Sequence, residues 1–110
     1  MKYIELLENF EIGKIAENGK NKEVKKIFEG TRRQIISVEL RGGEILSKHQ
    51  AKEPITVLCL AGNGTFRAGE NLEEEQKLEA GTLITLDAEI QHEVVAEPAI
   101  RILVTKFKEI

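Results

Sequence analysis

Short apolar stretches at period two, closed off by turn residues, constrain this chain more than any other feature. From about Val24 onward Gly, Pro, Asn and Asp recur at short intervals. Gln34 to Leu40 shows the pattern best: Ile36, Val38 and Leu40 fall on one side, and Ile35, Ser37 and Glu39 on the other. Such alternation marks a strand between two environments. Ile55 to Leu60 is an apolar run rich in β-formers. Further strands are predicted over 24–28, 44–51, 76–79, 82–86, 90–96 and 100–106. Turns are predicted at Arg41-Gly42-Gly43, Gly62-Asn63-Gly64, Gly69-Glu70-Asn71, Ala80-Gly81, Asp87 to Glu89 and Glu97-Pro98. Gly62-Asn63-Gly64 is the strongest hairpin signal, because Asn-Gly accepts the positive φ angles of a tight turn. Thr65-Phe66-Arg67 then begins the return strand. Eight or nine strands with turns about every 8–12 residues predict an all-β sandwich or barrel. Ahead of them, Tyr3, Leu6, Leu7 and Phe10 follow helical spacing and predict one or two helical turns ended by Gly13.

The totals narrow the function classes. A chain of 110 residues suits one domain. A net charge of −3 and a pI near 5.5 argue against a nucleic-acid partner. No apolar run approaches the ~20 residues that span a bilayer, so no membrane partner is expected. Glu5 and Glu8 interrupt the first ten residues, unlike the apolar region of a signal peptide. The single cysteine, Cys59, has no intramolecular partner. Together these features predict a cytoplasmic protein. Only two serines are present, Ser37 and Ser47, and neither sits in a nucleophile motif. No phosphate-cradling glycine loop and no Cys-x-x-Cys occur.

Two turn–strand units carry a specific spacing. In the first, Gly43 is followed after five residues by His49, then Gln50 and Ala51; Ile55 comes after three more residues and Gly62 after a further six. In the second, Gly81 is followed after five residues by Asp87-Ala88-Glu89, then His92 and, three residues on, Ala96. The chain has two histidines, and each falls inside one unit. Over roughly residues 34–105 the arrangement resembles the two motifs of the cupins, the RmlC-like jelly-roll superfamily. The resemblance implies a double-stranded β-helix, or jelly-roll cupin barrel, over 34–105. It also implies a short helical or extended N-terminal arm at 1–22, all within one domain spanning 1–110. In metal-containing cupins three His and one Glu hold a transition metal. Here Ala51 stands at the second His position and Ile55 at the Glu position. The Pro, second Gly and Asn of the other motif are also absent.

The resemblance further implies that both motif strands face the barrel interior. Alternation then extends the lining. Ser47 and Ala51 join His49; Val57 and Cys59 join Ile55; Ile90 and Val94 join His92. Two imidazoles fall short of the three or four ligands that protein metal sites supply. A mostly apolar pocket with a few polar groups is the usual form of a small-molecule site. The first expectation is therefore a small, partly apolar molecule bound in the barrel by His49, His92, Ala51, Ile55, Val57, Cys59 and Val94, without metal. A second is a metal-dependent enzyme of oxygenase or isomerase type, with His49 and His92 on a divalent transition metal and a third ligand unrecognised. A third is a dimeric regulatory or assembly module. Family members commonly pair barrel faces, so a C2 homodimer is the default. Tyr3, Leu6, Leu7, Phe10, Ile27 and Phe28 would need burial.

Other residues carry weaker signals. Asp87 and Glu89 suit either a steering role toward a cation or a solvated turn. Arg41, Lys48 and Lys52 suit either an anion contact or the surface. The charges from Glu73 to Lys77 suit the exposed face of a hairpin, and Cys59 most simply fills the core.

Overall fold

The apolar run that begins at Ile55 does not stop at the Asn-Gly pair. In the computed structural model, which describes residues 3–50 and 52–109 with only the backbone at 48–50, it continues as one strand, Ile55–Ala68. Numbered in chain order, the strands are β1 (Lys22–Glu29), β2 (Arg33–Leu40), β3 (Ile45–Gln50), β4 (Ile55–Ala68), β5 (Glu74–Glu79), β6 (Leu83–Leu86) and β7 (Gln91–Phe107). There are seven strands rather than eight or nine, because two expected turns lie inside β4 and β7.

Gly62 and Gly64 show why the expected hairpin is absent. A Cβ at Gly62 would sit 2.1 Å from the Ala99 carbonyl oxygen, and one at Gly64 would sit 2.5 Å from that of Val95. The glycines serve a close approach of two backbones, not a reversal. Register shifts at Cys59/Ala61 and Gly62/Gly64 bend β4 there. Opposite them β7 runs through Glu97-Pro98, whose peptide bond is cis.

This bent β4–β7 ribbon organises the fold. One edge of β7 pairs with β4 from Ile55↔Lys106 to Ala68↔His92. Its other edge pairs first with β3 and then with β2. The free edge of β4 pairs with β6 over Ile55–Leu58 and with β5 over Asn63–Ala68. All these pairings are antiparallel, and β1 adds to β2 as an edge strand. The sheet thus folds into two layers: β1, β2, the second half of β7, the first half of β4 and β6 against β3, the first half of β7, the second half of β4 and β5. Ile55, Val57 and Ile102 of one layer share a core cluster with Phe66, Leu78 and Val94 of the other. As the alternation in β2 predicts, Val38 and Leu40 are buried in it, and Ile36 packs against it.

Among the described residues the N-terminal arm contains no helix; residues 3–21 run without regular structure. Four apolar residues at helical spacing do not offset the cost of nucleation without a surface to pack on. Backbone carbonyls and two arginines anchor the arm instead. Arg41 Nε donates to the Ala16 carbonyl at 2.6 Å and Arg41 Nη1 to that of Lys20 at 3.0 Å. Arg101 Nη1 donates to the Glu11 carbonyl at 3.1 Å. Gly13 N–H donates to Leu60 O at 2.7 Å. Glu39 bridges both guanidiniums, bonding Arg41 and accepting from Arg101 Nε at 2.8 Å. Arg41 is buried in this structural role and so is not a surface anion contact. No helix among the described residues is long and apolar enough to cross a membrane.

Candidate functional site

Two rungs of the second layer hold the candidate site. Antiparallel partners share one face of a sheet. The first rung runs Glu74 (β5), Ala68 (β4), His92 (β7), His49 (β3). The next runs Gln76, Phe66, Val94, Leu46 on the same strands. Apart from His49, of which only the backbone is described, both lie on the face that carries the buried Phe66 and Val94.

His92 is 3% exposed. Its Nδ1 lies 3.0 Å from the Ile90 carbonyl oxygen. A carbonyl only accepts, so in the neutral ring Nδ1 carries the proton and Nε2 the lone pair. The ring stacks against Phe66 with centroids 5.7 Å apart and planes at 12°. This offset arrangement is favoured between aromatic rings. The loop bond and the stack together fix the orientation of the imidazole.

A small void remains between the layers, about 30 Å³ in volume, with Leu46, Ile55, Val57, Phe66, His92 and Val94 among its walls. That is room for about one water. Lys106 also reaches it. Ile55, Val57, His92 and Val94, expected as lining from the sequence, are thus brought together. Cys59 is fully buried in the core but does not line the void. Its Sγ lies 3.6 Å from the Ala61 carbonyl, and burial pushes the thiol pKa up. Ile90 is in the loop before β7 and is exposed, contributing its carbonyl rather than its side chain. Ser47 is exposed as well, because a register shift between Leu46 and His49 breaks the alternation assumed for β3. Ala51 and the side chain of His49 lie outside the described residues.

Of the two histidines that the resemblance would place on a metal, the side chain of His92 is described and that of His49 is not. Among the described residues, no three His, Cys, Asp or Glu side chains converge. The wall at the Glu position is the aliphatic Ile55, 3% exposed. Divalent transition metals need several N, O or S donors around one point.

Outside the void, a depression of about 310 Å³ opens between the free edges of β5 and β6. Phe66, Ala68, Ile84 and Leu86 supply apolar walls, and Glu74, Glu75, Gln76 and Thr85 supply polar ones. Among the described residues, Phe66 is the one that lines both spaces. Sequence reasoning missed Phe66, Leu46, Glu74 and Gln76. The signal for Phe66 was its parity with Ala68 on an unbroken β4, hidden by the false hairpin.

A third depression, of about 570 Å³, lies between the arm and the outer face of β1–β2. Leu6, Leu7 and Phe10 face Ile27, Glu39 and Arg101 across it. Glu8, Glu11 and Lys25 also border it, beside the Glu39 ion pairs already described.

No family model and no curated protein matches the chain. Solved structures do. A cupin superfamily protein from Desulfitobacterium hafniense aligns with TM-score 0.76 at 15% identity, over 86% of this chain and 84% of that one. A conserved protein of unknown function from Streptococcus pyogenes gives TM-score 0.75 at 17% identity, with 98% of both chains covered. An RmlC-like cupin protein from Desulfovibrio desulfuricans gives 0.71 at 21% identity, over 96% of this chain and 94% of that one. At these identities the likeness establishes the fold.

Proposed function

We propose that this chain, which has the cupin fold, is a metal-free binding module for a small, partly apolar molecule taken at the barrel mouth between β5 and β6. One observation carries the reading: the Phe66 ring, stacked on His92, lines both the void of about 30 Å³ and the open depression of about 310 Å³. The void is too small for an organic ligand, whereas about 300 Å³ is the lower end for ligand pockets. A ligand would therefore rest on Phe66, Ala68, Ile84 and Leu86, and would reach toward His92 as the Phe66 ring turns aside. The cupin scaffold hosts unrelated chemistries, so this reading rests on the site and not on the fold. The test is an NMR titration with neutral aromatic probes such as benzyl alcohol. Saturable amide shifts at Ala68, Ile84 and Leu86 are expected. Shifts that are absent, or scattered over the surface, would contradict the reading.

A second reading is supported by a separate observation. Tyr3, Ile4, Leu6 and Ile12 of the arm are 88%, 61%, 59% and 69% exposed. Apolar side chains so concentrated in one segment are the usual mark of an interaction surface. A homodimer closed by the arm and the outer face of β1–β2 would bury them. Sedimentation of the full chain should give a dimer, and a stable monomer would remove this reading.

A further inference from the structure

The mouth is not chemically neutral. Along β5, the ladder with β4 places Glu74 opposite Ala68 and Gln76 opposite Phe66. Both therefore share the inward face with the buried Leu78, two positions on. The intervening residues alternate to the other face, where Glu75, which also borders the depression, pairs with Arg67 at 3.0 Å and Lys77 with Glu97 at 3.2 Å. β5 thus turns its lysine away from the mouth and keeps a carboxylate on it. Among the described residues, Glu74 has no hydrogen-bond or ion-pair partner, although it lines a depression of about 310 Å³. Gln76 uses its Nε2, which donates to the Lys77 carbonyl at 3.2 Å, and so offers its Oε1 as an acceptor. Across the gap Thr85 adds a hydroxyl oxygen. Glu73 and Asp87 flank these residues in the chain and add negative charge.

The polar rim therefore sets the acceptor-only carboxylate of Glu74 beside two groups that both donate and accept, Gln76 and Thr85, above an apolar floor, with Glu75 already paired to Arg67. Acceptors need donors, and an unpaired carboxylate favours a cation. We infer that the mouth selects small molecules with a compact apolar body and a cationic N–H donor group, such as a primary ammonium. The apolar body lies on Phe66, Ile84 and Leu86. The ammonium sits above Ala68, the small residue between Glu74 and His92 on the first rung. This inference rests on the proposed binding function and adds the class of ligand to it.

The test compares three probes of one shape on the full chain by NMR titration at low salt: benzylammonium, benzyl alcohol and phenylacetate. Benzylammonium is expected to bind about five-fold more tightly than benzyl alcohol, as one exposed charge pair allows. Phenylacetate should bind most weakly. Glu74→Gln should abolish the advantage of benzylammonium and leave benzyl alcohol unchanged. Glu79→Gln, on the outer row of the same strand, should change neither. Equal affinities for benzylammonium and benzyl alcohol, or a preference for phenylacetate, would overturn the charge selection while the binding function stands. Failure of all three probes to shift the mouth would remove both.

Discussion

His49 and His92 are direct partners in the β3–β7 ladder, and the same rung continues through Ala68 to Glu74. The backbones of residues 43 positions apart in sequence thereby lie side by side in one layer. The rung below carries Phe66, which stacks on His92 and lines both the void and the depression between β5 and β6.

Phe66 has two roles, and its substitution should separate them. Phe66→Ala removes a buried ring and its stack on His92, which should cost about 3–5 kcal/mol. Chemical denaturation measures that loss. Phe66→Leu is the milder variant that keeps the fold and joins the void to the mouth. It should bind benzyl alcohol more tightly than the parent. Unchanged affinity would mean that the ring does not gate the interior.

The void should be worth filling. At roughly 24 cal/mol per Å³ of cavity, about 30 Å³ corresponds to about 0.7 kcal/mol. Val57 is buried on its wall, so Val57→Ile should raise stability by up to that amount with an unchanged denaturant slope. A loss of 1 kcal/mol or more, the cost expected of overpacking, would show that the interior is already full.

The glycines of the ribbon should differ from those of the turns. Gly62 combines a φ of +78° with the Ala99 carbonyl 2.1 Å from where a Cβ would sit. Gly62→Ala must therefore push backbone away from backbone. Gly81 has a φ of +96° but nothing within 4 Å. Gly81→Ala should cost only the conformational strain, about 1–2 kcal/mol. Denaturation midpoints should fall much further for the Gly62 variant.

How much of this was legible in the sequence depends on which interactions decide each element. The faces of β2 follow from the alternation of Ile36, Val38 and Leu40, a local signal that the core confirms. The spacing from Gly43 to His49 and from Gly81 to His92 places both histidines on strands of one layer. The middle of β4 was not legible. Glycine permits a tight turn and a close approach of two chains equally well, and only the presence of β7 decides which. The shift between Leu46 and His49 carries no glycine to announce it, yet it moves Ser47 off the face assumed for it. In the arm, the Arg41 and Arg101 bonds reach carbonyls 25 and 90 residues away, which no periodicity reports.

Acid should loosen the arm and the β1 edge. Burial pushes the Glu39 carboxyl up, but hydrogen bonds and charge from Arg101 and then Arg41 outweigh it and leave it below the usual value of 4.5. Glu29, hydrogen-bonded first by Lys108 and then by Lys26, is held down at about 2. Both carboxyls have folded pKa values below their unfolded ones. Their contribution is therefore present above about pH 4.5 and is lost as pH falls from there toward about 2. Glu29 is exposed, so its share should shrink with added salt; that of the half-buried Glu39 should persist. Denaturation midpoints measured across this range should drop for the parent and flatten for Glu39→Gln.

The proposed site is a barrel mouth that binds its ligand without a metal. Metal content of the freshly purified protein, and after exposure to Fe, Mn, Ni, Cu and Zn, tests this most directly when measured by mass spectrometry beside His49→Ala and His92→Ala. The account predicts no transition metal above background in any of the three. Near one equivalent in the parent, lost in both variants, would contradict it and make the histidine rung a metal centre.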